Sequence, residues 1–112
     1  MNRLDQLFAR SQREIEAHAV EIATTETGRY LIAESAHLLA GLRLWAQDQY
    51  RSDDVIRGIL ETGGATALQQ VADELRRMNT REATVASWSI EAVTKWPASQ
   101  LMAVSSYALR AL

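Results

Sequence analysis

The sequence predicts an all-α fold: a compact bundle of four or five helices, residues 1–112 forming a single domain that pairs into a homodimer. Three observations carry this. Apolar residues recur at three- and four-residue steps through most of the chain, the spacing of one helix face. No stretch of useful length alternates apolar and polar residues as a strand does. Ala and Leu dominate, with 5 Gly and 1 Pro in 112 residues, a composition that favours helix nearly throughout.

Asn2 suits an N-cap, since its side-chain oxygen can take an early helical N–H. Leu4, Phe8, Ser11, Ile15, His18 and Ile22 then form a heptad-like seam that is polar at alternate positions. Thr24 to Gly28 (TTETG) breaks the pattern and reads as a turn. In a rival reading the first helix runs straight into the second.

Arg29 to Gln49 is the central helix. Leu31, Ser35, Leu38, Leu42, Trp45 and Gln49 make one face, and Ile32, Ala36, Leu39 and Ala40 widen it to nearly half the cylinder. Burying each large side chain is worth roughly 1.5–3 kcal/mol. The helix therefore needs neighbours on two sides, or a partner chain on one.

Ser52 caps a short helix, with Asp53 and Asp54 at the positive end of its dipole and Val55, Ile56, Ile59 and Leu60 as its apolar residues. Gly63-Gly64 ends it through a left-handed cap. The next helix starts near Thr66 with Leu68, Val71, Leu75 and Met78 on one side. Asn79-Thr80 can interrupt it, Thr80 capping a new segment, so residues 66–96 read as one helix or two. Val85, Trp88, Ala92 and Trp96 form that segment's stripe, flanked by Ile90 and Val93. Pro97 fits the first turn of the last helix, whose face is Leu101, Val104, Ala108 and Leu112.

Composition excludes several function classes. The formal charge is -2, against the basic stripe of a general nucleic-acid surface. Lys95 is the only lysine. With no cysteine, disulfides, thiolate metal sites and Cys nucleophiles are ruled out. The charged stretch Asn2–Glu16 is no secretory signal, and no apolar run reaches the ~20 residues of a membrane span. The expectation is a cytoplasmic protein without membrane contact.

The chain carries no Walker loop, dinucleotide glycine motif or serine elbow, and no enzyme is expected. One constellation is metal-like. If the first two helices fold back around Thr27-Gly28, His18 faces His37 and Glu21 faces Glu34, and Glu34-x-x-His37 has the spacing of di-metal carboxylate bundles. Such a bundle needs a second Glu-x-x-His, which is missing, and Glu21 and Glu34 serve equally well as solvated flanks. No cofactor or metal is therefore assigned, although a metal-binding bundle stays the alternative. Arg57, Arg76, Arg77 and Arg81 are interleaved with Asp73, Glu74 and Glu82, as on a solvated helix face.

Trp45 reads as core. Trp88 and Trp96, eight residues apart, are either core or an anchor patch for a protein partner, because large aromatics concentrate binding energy. The last helix bears apolar residues on more than one side. Trp88, Trp96, Leu101, Met102 and Tyr107 are the candidate partner-binding residues.

In size and kind, and in the stretches LLAGLRLWAQ (residues 38–47) and KWPASQLMAVSSYALRAL (residues 95–112), the chain resembles the small helical bacterial antiactivators that sequester LuxR-type quorum-sensing regulators. The resemblance implies a protein that binds a transcription factor, blocks its dimerisation or DNA binding, and has no chemistry of its own. A structural or chaperone-like helical subunit rests on the same amphipathic faces.

Overall fold

Helix α2 (Glu26–Asp48) is the axis on which the other elements lie. In the computed structural model, which describes residues 2–112, it is preceded by α1 (Arg3–Ala17). It is followed by α3 (Asp53–Gly58), a π-helical segment (Ile59–Gly63), α4 (Gly64–Arg77), α5 (Arg81–Thr94) and α6 (Ala98–Leu109). The described residues contain no strand. Helices α1, α5 and α6 pack most extensively on α2, and α4 lies along α5. The Cα radius of gyration is 12.8 Å, near the ~13 Å of a folded chain about this long.

The central helix meets the sequence-based expectation. Ile32, Ser35, Ala36 and the unbroken run Leu38–Ala46 are all buried, because helices cover it on several sides. Ser35 satisfies its hydroxyl on the Leu31 carbonyl at 2.6 Å. The N-cap at Asn2 also forms, its Oδ1 accepting from the Asp5 N–H at 2.8 Å.

Between α1 and α2 the chain makes a series of turns over residues 18–25, so the continuous-helix reading fails. The break also falls earlier than expected. Thr25 is the N-cap of α2, accepting from the Gly28 N–H at 2.9 Å, and Thr27 and Gly28 are already helical. Gly28 serves close approach rather than turning: a Cβ there would lie 1.8 Å from the Ile22 carbonyl oxygen.

Among the described residues there are six α-helices rather than four or five, for two local reasons. Residues 66–96 are split where Asn79 takes a left-handed φ of 55° and Thr80 caps α5 by accepting from the Ala83 N–H at 3.1 Å. Ser52 begins α3 in extended conformation but makes no side-chain cap bond. The π segment then joins α3 to α4 through Gly64, whose φ of 57° and ψ of -158° lie in a region open essentially to glycine alone. The left-handed helix cap expected at Gly63-Gly64 is replaced by this sharper junction.

Helix α5 turns inward on the residues expected as flanks and leaves Trp88 outside, the alternative in which it is not core. Val85, Trp88 and Ala92 face outward, while Ala83, Ala86, Ser87, Ile90 and Val93 are buried. Small residues let α5 lie close against α2, and the bulkier stripe would have held it off. Pro97, expected in the first turn of the last helix, is the N-cap of α6, and Val104 and Ala108 are buried as the face demanded. Among the described residues no helix is long and apolar enough to cross a membrane.

Candidate protein-interaction surface

The sequence of α6, ASQLMAVSSYAL, has no charged residue. Its inner line is fixed by Val104 and Ala108, so Met102 is left on the outer side, 71% exposed. Where α6 passes the π segment an open apolar groove of about 620 Å³ forms, lined among others by Leu60, Thr62, Gly64, Leu101, Met102 and Leu109, with Glu61 as its charged group. The π segment turns Ile59 to a different niche and Leu60 to this one. Uncommon helical turns of this kind occur frequently at functional sites.

The five sequence-predicted contact residues do not form one patch. Leu101 and Met102 come together in the groove. Trp88, 59% exposed, stands apart on α5 beside Val85, Thr84 and Arg81. Trp96 lies beyond the end of α5, partly buried against the core. Tyr107 is likewise packed against the core, with the Arg110 guanidinium 4.8 Å over its ring. Arg110 also bonds the His18 carbonyl and the Glu21 carboxylate. That hydrogen bond holds the Glu21 carboxyl below its ordinary pKa and raises Arg110.

The metal-like set is not assembled. Among the described residues no three His, Asp or Glu side chains converge as a metal ion requires. His37 stacks on Phe8 with ring centroids 4.1 Å apart, and Glu21 is taken by Arg110. The early break after α1 shifts the helix register on which the pairing depended.

Three polar ties escaped the sequence-based reading. Arg43, 3% exposed, donates to Ser11 at 3.0 Å and to both Glu14 oxygens at 2.7 and 3.4 Å. Asp53 lies 3.8 Å away, and the buried Arg43 Nε has no partner among the described residues. Burial pushes the Glu14 carboxyl up, but the Arg43 hydrogen bonds and charge, with Arg10, outweigh it and hold the group low. Trp45 Nε1–H donates to Glu74 at 2.6 Å. Arg76 pairs with Asp73 and reaches across to Glu91, tying α4 to α5. The available signal was a lone cation inside LLAGLRLWAQ, which burial obliges to find a carboxylate. Comparison with family models, with curated proteins and with solved structures gives no match.

Proposed function

We propose that the protein is a non-enzymatic regulator that binds another protein through the groove between α6 and the π segment. The observation that carries this is an uncharged helix presenting Met102 to water beside an apolar cleft. Surfaces of folded domains are usually about a quarter to a third charged, and an apolar cleft of this kind fits an amphipathic helix laid into it. The partner class is that of the resembled antiactivators, a LuxR-type transcriptional regulator whose own assembly surface would be covered. Pairing of two copies through the C-terminal half belongs to the same proposal, since one face can serve both contacts in competition.

The test is a promoter reporter driven by a LuxR-type regulator from the same genome, with the chain co-expressed. Wild type is expected to lower output, and Met102→Glu, at equal protein level, to restore it. Leu101→Glu should act likewise, but Leu101 is partly buried against the core, so its helicity must be checked by circular dichroism. Output that ignores the wild-type chain would dismiss this class of target.

A further inference from the structure

On the other side of the π segment lies a second niche, built on Trp45. Its indole is 4% exposed and donates Nε1–H to Glu74 Oε2 at 2.6 Å, with Gln49 reaching the same oxygen at 3.4 Å. The Arg51 guanidinium lies over the indole ring, 5.6 Å from its centroid, within the range of a cation–π contact.

Backbone geometry places Arg51 there. Helix α2 ends with Tyr50 at a left-handed φ of 55°. The Tyr50 N–H returns to the Gln47 carbonyl at 3.2 Å and the Arg51 N–H to the Ala46 carbonyl at 2.8 Å, the paired bonds of a Schellman turn. Position 50 is one where glycine or asparagine is usual. Tyrosine here is 98% exposed, so it recovers no burial for its strained backbone.

Two opposite charges are thus mounted on one indole, Arg51 over its face and Glu74 at its edge. Among the described residues neither belongs to an ion pair. The neighbouring carboxylates are already engaged: Asp54 with Arg57 at 3.0 Å, and Asp53 facing Arg43 at 3.8 Å. Val55, Ile59 and Val71 line the same niche, which has a volume of about 260 Å³. Pockets for drug-sized ligands begin near ~300 Å³, so this one suits something smaller.

We propose that this niche binds a free α-amino acid with an aliphatic side chain. Its carboxylate meets Arg51, its ammonium meets Glu74, and the side chain rests on Val55, Ile59 and Val71. A simple anion would face Glu74 and a simple cation would face Arg51, whereas a zwitterion satisfies both. This site is separate from the α6 groove, and either can fail without the other.

The experiment is an NMR titration of the ¹⁵N-labelled protein with L-leucine to about 10 mM, a range that reports millimolar binding. Leucine is expected to shift the Trp45 indole N–H and the Arg51 and Val71 amides. N-acetyl-leucine, which lacks the ammonium, and leucinamide, which lacks the carboxylate, should each bind at least about fivefold more weakly, since each loses a charge-assisted hydrogen bond. Arg51→Ala, at an exposed position, should abolish the shifts while leaving helicity unchanged. Absence of any Trp45 shift with leucine, equal binding of the three compounds, or undiminished binding to Arg51→Ala would each overturn the proposal.

Discussion

Arg43 is a cation placed where water cannot reach it, so the state of Glu14 decides what that placement costs. Glu14→Gln removes the compensating charge and is expected to lower stability by about 1–3 kcal/mol in urea unfolding at pH 7. Arg43→Met removes the charge but keeps the length, and should cost less than about 1 kcal/mol or stabilise slightly, as hydrophobic replacement of buried ions often does. The Glu14 carboxyl is lowered from an ordinary 4.5. Its contribution is therefore present above the unfolded-state value and is lost as pH falls through the lower folded-state value. Unfolding measured from pH 7 to pH 3 should hold level near neutrality for this group and decline below about pH 4.5. Glu14→Gln should decline less steeply, with a residual slope because Glu21 is lowered too. Tyr50→Gly relieves a left-handed side-chain residue and should raise stability by about 1 kcal/mol, read as a higher midpoint of thermal unfolding. The cation at Arg43 was visible in the sequence. Its partner was not, because Glu14 lies 29 residues away and the pairing depends on how α1 crosses α2.

Whole elements were more legible than their orientation. Caps are local, so Asn2 and the possible cap at Thr80 could be read from their own neighbourhoods. Thr80→Ala should cost about 1 kcal/mol and loosen the start of α5, which circular dichroism and thermal unfolding would register. Gly28 reads locally as a turn residue because nothing in its neighbourhood reveals that the Ile22 carbonyl comes back to it. Gly28→Ala forces that carbonyl away and should cost about 1–3 kcal/mol, as overpacking does, in the same urea assay. Which face of α5 turns inward was illegible for a related reason. Bulk drew attention to Val85 and Trp88, whereas close packing on α2 selected Ala83, Ala86 and Ser87. Periodicity marks a helix, but which side turns inward depends on how near its neighbour must come.

At the scale of the molecule, the wide apolar surface of α2 organises everything else, and that was plain from residues 29–49. The candidate surface was legible only in part. Leu101 and Met102 do meet at a cleft, but its other wall comes from the π segment and Gly64, an irregular turn that no periodic pattern announces. Trp96 and Tyr107 pack against the core instead. The function proposed for the groove is tested most directly by quantitative affinity purification from the native cells with two baits, wild type and Met102→Glu. Both should show the same helicity and thermal midpoint, since Met102 is 71% exposed. Wild type should enrich a DNA-binding regulator at least about tenfold over the variant, the loss expected from about 1.4 kcal/mol of contact energy. Identical enrichment by the two baits would contradict the account.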